Sequence, residues 1–135
     1  TIILEHILEH VDDPVHIMCL AKEWLKDNGV MICGVPNANS IHRLAAVKMG
    51  LLKSVTELNA RDHSLGHQRV YDFDSFEKDI SSAQLNIVAK GGVFLKPLSN
   101  AQIEKNWTKE MMDGFYELGK DFPNIAAEIY CICKV

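Results

Sequence analysis

The sequence predicts an α/β domain with a parallel sheet, and three observations lead to this fold class. Short apolar runs typical of buried strands alternate with segments whose apolar residues recur at helical spacing. The first two strands are separated by one capped helix, and such a βαβ unit places its strands parallel. With 135 residues, 47% hydrophobic and 24% charged, the chain suits one domain with a continuous core.

The first βαβ unit begins at the N-terminus of the sequence. Thr1 to Leu4 is predicted as the end of a buried strand, and Asp12-Asp13-Pro14 supplies a cap and a first-turn proline for a helix. That helix is predicted to end at Asn28-Gly29. Val30 to Val35 is continuously apolar, as expected for a strand buried on both faces. Helical spacing places five apolar residues on the core face of the helix: Ile17, Leu20, Ala21, Trp24 and Leu25.

The rest of the chain continues the alternation of helices and strands. A helix is predicted from Ser40 to Met49, followed by an irregular insertion from Lys53 to Arg69 and a helix from Ser75 to Ala83 capped by Asp74. The segment "LNIVAKGGVFLKP" is predicted as a strand with a bulge or bend at Gly91-Gly92. A helix from Asn100 to Leu118 and a strand from Ala126 to Val135 complete the chain. The sequence therefore predicts four strands.

Composition excludes several functional classes. A net charge of −4 and the lack of a dense basic patch argue against binding to nucleic acid. No apolar run reaches membrane-spanning length, so we expect no membrane association. The four cysteines lie in helical or strand-like patterns without the spacing of a zinc site, which predicts reduced thiols in a cytoplasmic protein.

The stretch "LEHILEHVDDP" contains His6-Ile7-Leu8-Glu9-His10, which has the H-x-x-E-H pattern of a zinc peptidase family. Three features argue against this interpretation. No third ligand stands out downstream, the next helix is capped directly after His10, and His6 follows an apolar strand rather than lying inside a helix. The sequence therefore predicts no metal site.

The position of this stretch favours a binding pocket instead. In open α/β sheets, ligands bind at the carboxyl ends of parallel strands. Leu4, Glu5 and His6 lie at such an end, and Pro36 to Asn39 follows the next strand. We expect these two loops to frame one pocket.

Several motifs in order resemble one enzyme family. "ILEHILEHVDDP", a helix, and then "LKDNGVMICGVPNANS" are similar to the segment from the fourth to the fifth strand of class I S-adenosylmethionine-dependent methyltransferases. "GHQRVYDFDSFEKDISSAQLNIV" resembles the segment before that family's sixth strand, with Phe76 in place of the usual leucine and Gln84-Leu85 in place of Gly-Phe.

This resemblance implies the second half of a doubly wound, mostly parallel, Rossmann-like sheet with an antiparallel last strand. Residues 1–135 would form a single partial domain, and residues 40–69 a helical or irregular insertion that covers the substrate. The cofactor would be S-adenosylmethionine, although the glycine-rich loop that mainly binds it is not present in this chain. By matching positions, Leu4, Glu5 and His6 would bind the cofactor.

The resemblance also implies a function, namely methyl transfer to a small-molecule, lipid-linked or saccharide acceptor as part of a longer enzyme. If the acceptor must lose a proton, His6, His10 and His67 are the candidate catalytic bases, because histidine titrates near neutrality. Structural roles remain open for all three: pocket lining for His6, a polar pair with Glu9 for His10, and loop ordering for His67. The alternative function is a non-catalytic module that forms a homodimer through an exposed sheet edge.

Overall fold

The computed structural model describes residues 1–135 and contains one four-stranded sheet. The strands are β1 (Ile2–Glu5), β2 (Met31–Pro36), β3 (Asn86–Val93) and β4 (Glu128–Lys134). Their order in the sheet is β1-β2-β4-β3. Strands β1 and β2 are parallel, and β4 is antiparallel to both β2 and β3. The predicted α/β fold with an antiparallel last strand is therefore confirmed.

Six α-helices and one 3-10 turn connect the strands. The helices are α1 (Pro14–Lys22), α2 (Ile41–Lys48), α3 (Ala60–Leu65), α4 (Phe73–Ser82), α5 (Asn100–Asn106) and α6 (Lys109–Asp121), and the 3-10 turn is Pro123–Ile125. None of the helices combines the length and the hydropathy that crossing a membrane requires.

The capping residue of α1 is the one that the sequence predicts, whereas the capping residue of α4 is not. Asp13 accepts a hydrogen bond from the His16 amide at 2.8 Å, and Pro14 occupies the first helical position. The predicted cap of α4 at Asp74 is wrong, because Asp72 accepts the capping bond from the Ser75 amide at 2.8 Å. The Ser75 hydroxyl reciprocates by accepting from the Asp72 amide, which completes a capping box.

Two predicted helices have different ends in the structure. Helix α1 ends at Lys22, and Trp24, predicted on the core face, is 79% exposed because it lies in the turn beyond the helix. The predicted helix from Asn100 to Leu118 is broken at Trp107, whose backbone is extended. Thr108 then caps α6 by accepting a hydrogen bond from the Met111 amide. The break lets the Trp107 ring pack against Phe115, with ring centroids 4.5 Å apart.

Three further details differ from the sequence-based prediction. The segment 53–69 contains the short helix α3, which a capping box at Asn59 stabilises. The bulge in β3 lies between Ile87 and Ala89 rather than at Gly91-Gly92, since both glycines keep regular partners on β4. Strand β2 was expected to be buried on both faces, but only its alternate residues are fully buried, so one face of the strand is fully covered and the other is half-buried.

The main core lies on that covered face of the sheet. The buried side chains of β2 pack with those of β4, such as Ile129 and Cys131, beneath α1 and α4. The largest fully buried side chains of the two helices are Met18 on α1 and Phe76 on α4. All four cysteines are free thiols, as predicted. The core therefore fixes β1 and β2 side by side, with their carboxyl ends at one edge of the sheet.

Candidate functional site

The corner that follows β1 is shaped by His6. Its amide donates a hydrogen bond to the Gly34 carbonyl at 3.0 Å, which extends the β1–β2 pairing by one residue. Its backbone then adopts a left-handed conformation with φ of 52°. Such a conformation is uncommon outside glycine, although histidine is one of the residues that adopts it more often. The chain consequently turns at His6, and the residues up to Asp12 form a compact corner.

A second segment of the chain, Gln68 and Arg69, fastens this corner. The Gln68 amide donates a hydrogen bond to the Glu9 carbonyl at 2.8 Å. The Arg69 guanidinium donates to the backbone carbonyls of Leu8, Val11 and Asp12. These bonds bring His67 beside His10, with ring centroids 4.7 Å apart and the rings nearly perpendicular.

Glu9 lies buried at the centre of the corner. Only 1% of its surface is exposed, and neither of its carboxylate oxygens accepts a hydrogen bond. Its Oε1 lies 3.3 Å from Nδ1 of His6 and 3.7 Å from Nε2 of His10. A buried carboxylate without hydrogen bonds is costly, and the two imidazoles, which can carry positive charge, are its nearest sources of compensation.

Asp62 organises the opposite wall of the site. Its carboxylate accepts hydrogen bonds from the Asn59 amide at 2.9 Å, from Nη1 of Arg43 at 3.1 Å and from Nδ1 of His67 at 3.1 Å. Burial raises the pKa of Asp62, but the bonds from Asn59, Arg43 and His67 outweigh it, and the net pKa is lowered. Asp62 therefore stays ionised and holds the His67 ring in one orientation.

Between these two walls lies a cavity of about 230 Å³. Its lining is mostly polar and consists of His6, Pro36, Asn37, His42, Arg43, Asn59, Arg61, Asp62, Leu65, His67, Val70, Lys96, Asn100, Ala127 and Glu128. The loops after β1 and β2 both contribute, as the strand-end argument predicted. The Asn37 side chain is nevertheless occupied, since its Nδ2 donates to the Asn124 and Ala126 carbonyls.

Positive charge is concentrated at one side of the cavity. Lys96 donates to Oδ1 of Asn100 and forms no salt bridge, and the Arg61 guanidinium has no hydrogen-bond partner. Burial and the neighbouring Arg61 lower the pKa of Lys96. Burial, together with Lys96 and Arg43, also lowers the pKa of His42 to about 4. This side of the cavity therefore favours a ligand with hydroxyl or anionic groups.

The structure separates the predicted site residues. His6 and His67 line the cavity, whereas His10 lies behind His67. Leu4 belongs to the apolar core, and Glu5 is exposed next to His6 at the end of β1. Of the predicted residues, only the two cavity histidines can therefore contact a ligand inside the cavity.

The residues that hold the site together were not predicted from the sequence. Asp62 and Arg43 form a buried ion pair, and Arg61 and Lys96 supply the free charge. One local signal was present, because Asn59 and Asp62 have the spacing of a capping box. Nothing in the sequence pairs Arg43 with a residue nineteen positions later.

Comparisons with known proteins agree with this architecture. The family model of a methyltransferase domain matches residues 1–90. Among solved structures, the fold is similar to that of a SAM dependent methyltransferase from Archaeoglobus fulgidus, with a TM-score of 0.54 and 14% sequence identity. That match covers 98% of this chain and 57% of the other, so this chain spans little more than half its length. No curated protein sequence matches the chain.

Proposed function

Because this chain belongs to the methyltransferase domain family, we propose that it takes part in methyl transfer from S-adenosylmethionine to a small polar acceptor. The observation that carries this proposal is the polar cavity at the carboxyl ends of β1 and β2, with His6 and His67 in its wall. Ligands of open α/β sheets bind at this edge.

The residues present fit one wall of a cofactor site. Glu5 is exposed at the end of β1 beside His6, where its carboxylate can accept hydrogen bonds from a ligand. No G-x-G pattern occurs in the chain, so the backbone cradle that the family uses for the cofactor is not among these residues. When bound, S-adenosylmethionine supplies a methyl group activated by its positive sulfur. The chain supplies alignment and exclusion of water.

The lining of the cavity supports a polar acceptor. Arg61 and Lys96 are the cationic side chains that form no salt bridge there, and they suit a carboxylate, phosphate or hydroxyl group. A volume of about 230 Å³ suits a compact molecule or the head of a larger one. A small-molecule or saccharide acceptor fits these properties, as does the polar group of a lipid-linked one.

His6 is the proposed base for the acceptor proton. Its two ring nitrogens each lie 3.3 Å from a carboxylate oxygen, Nδ1 from Glu9 and Nε2 from Glu128. The Glu9 carboxylate stabilises the imidazolium that forms when His6 accepts a proton, and Nε2 becomes available to the acceptor when the Glu128 side chain, 39% exposed, turns away from it. His67 is held by Asp62 through Nδ1, which leaves its Nε2 free. We assign His67 to positioning rather than to proton transfer.

Methyl transfer is tested with the full-length gene product that contains these 135 residues, S-adenosylmethionine tritiated in its methyl group, and pools of phosphorylated, carboxylated and saccharide compounds. We expect label in an acceptor, and we expect the rate to fall by at least about 100-fold in His6→Ala. His16→Ala is the matched control, because His16 is exposed on α1 and does not line the cavity. NMR titration with the cofactor should shift the amide signals of Glu5 and His6. The absence of both the label and these shifts would contradict the proposal.

A second candidate function is self-association, and one observation favours it. Strand β1 is an edge strand with only β2 as a neighbour, and its Ile3 side chain is 60% exposed. An apolar edge strand is a template for pairing with a second copy. Light scattering tests this function, since a monomer at all concentrations contradicts it. The variant Ile3→Lys should shift a dimer toward monomer.

A further inference from the structure

We infer that Glu9, His10 and His67 form a site for one divalent transition-metal ion of the zinc type. The ligand atoms of these three residues all lie within 4.8 Å of one another. Tetrahedral coordination at about 2.0–2.2 Å places the ligand atoms about 3.3–3.6 Å apart, and Oε1 of Glu9 already lies 3.7 Å from Nε2 of His10. The three side chains therefore need to close by at most about 1.5 Å to reach tetrahedral distances.

The Glu9 carboxylate is the independent observation that points to an ion. It is 1% exposed, and neither oxygen accepts a hydrogen bond. The nearest protein atom that can carry positive charge is Nδ1 of His6 at 3.3 Å, and this contact does not have hydrogen-bond geometry. A cation between Glu9, His10 and His67 would supply the compensation that the protein groups leave incomplete.

The surroundings of His67 match those of a metal ligand. Its Nδ1 donates to the Asp62 carboxylate at 3.1 Å, which leaves Nε2 as the free ligating atom. A carboxylate that holds the second nitrogen of a histidine is the usual support for metal-bound imidazole. The Gln68 amide bond to the Glu9 carbonyl keeps the two parts of the site together. The ligands are thus held near one another before an ion binds.

The donor set indicates the class of ion. One carboxylate and two imidazoles suit zinc, cobalt, iron or manganese rather than calcium or magnesium. The sequence predicted no metal site because it showed no third ligand downstream, and His67 fills that place in the structure. The set is not that of the H-x-x-E-H peptidases, because His6 is not one of the three. His67 also lines the cavity, so a bound ion lies at its edge.

Metal binding is tested directly and does not depend on methyl transfer. The tag-free 135-residue chain is freed of metal with a chelator and titrated with Co²⁺, whose visible ligand-field bands report bound imidazole and carboxylate. We expect one equivalent to bind and Zn²⁺ to displace it. Glu9→Gln, His10→Ala and His67→Ala should each weaken Co²⁺ binding by at least about 100-fold. His16→Ala should bind as the wild type does.

The outcomes are distinguishable even if one variant folds poorly. His10 has a side chain 36% exposed, so His10→Ala removes a ligand with little cost to folding, and circular dichroism verifies its structure. Absence of Co²⁺ and Zn²⁺ binding to the wild-type chain would overturn the inference. Unchanged affinity in the folded His10→Ala variant would also overturn it. Either result leaves the methyl-transfer proposal standing, because that proposal is measured with the cofactor and an acceptor.

Discussion

Replacement of Asp62 by alanine should destabilise the protein far more than the loss of an ordinary aspartate. Asp62 accepts three hydrogen bonds, and its partner Arg43 is buried. Breaking a buried ion pair typically costs about 3–5 kcal/mol, because an uncompensated charge remains. The Arg43 guanidinium would still donate to the Val55 and Glu57 carbonyls, so we expect the lower end of that range, about 3 kcal/mol.

Urea unfolding followed by circular dichroism measures this loss. Asp113→Ala is the matched control, because Asp113 pairs with Lys109 at the surface, with side chains 63% and 82% exposed. Exposed pairs of this kind contribute less than about 1 kcal/mol. The double variant Arg43→Ala with Asp62→Ala should recover part of the loss, since it leaves no buried charge. Equal effects of Asp62→Ala and Asp113→Ala, or simple additivity in the double variant, would refute the reasoning.

Two further predictions concern pH and backbone packing. Burial, together with Lys96 and Arg43, lowers the pKa of His42 from 6.5 to about 4, so the unfolded chain binds more protons between these pH values. The free energy of unfolding should therefore rise with pH across this range by up to about 3 kcal/mol, and His42→Gln should flatten the dependence measured by urea unfolding. Gly119→Ala should cost about 2 kcal/mol or more, because its Cβ would lie 2.2 Å from the Phe94 amide nitrogen. Gly114→Ala is the control in the same helix, because a Cβ at this position has nothing within 4 Å. Thermal unfolding should show a rise of about 0.5–1 kcal/mol in the free energy of unfolding of this variant.

The sequence was sufficient for the parts of the fold that local rules determine. The Asp13 cap, the proline after it and the apolar run of β2 each combine a chain position with a short-range pattern. The antiparallel last strand followed from the order of the motifs, which resembles that of the methyltransferase family. Trp24 was misplaced because helical spacing continues in the sequence after the helix has ended at Lys22. Periodicity shows which face a residue would take, but not where the hydrogen bonding stops.

The site was only half predictable for a related reason. The position of His6 follows from the end of β1, so it could be placed in a pocket wall from the strand alone. The position of His67 depends on Arg69, whose guanidinium donates to carbonyls on the β1 corner about sixty residues earlier in the chain. Hydrogen bonds to backbone carbonyls leave no mark in the partner's sequence. The proximity of His67 to Glu9 and His10 was therefore beyond any pattern in the chain.

The hydrogen bonds of three arginines indicate which side chains hold the cavity in shape and which can bind a ligand. Arg43 and Arg69 direct their guanidinium groups to backbone carbonyls, so each ties a loop to the rest of the fold. The segment between α2 and α4 is fastened by these bonds at both ends and does not form a loose lid. Arg61 lacks such bonds although it lines the cavity, as Arg43 does. The cavity is thus formed before a ligand arrives, and Arg61→Ala should weaken acceptor binding while leaving the free energy of unfolding nearly unchanged.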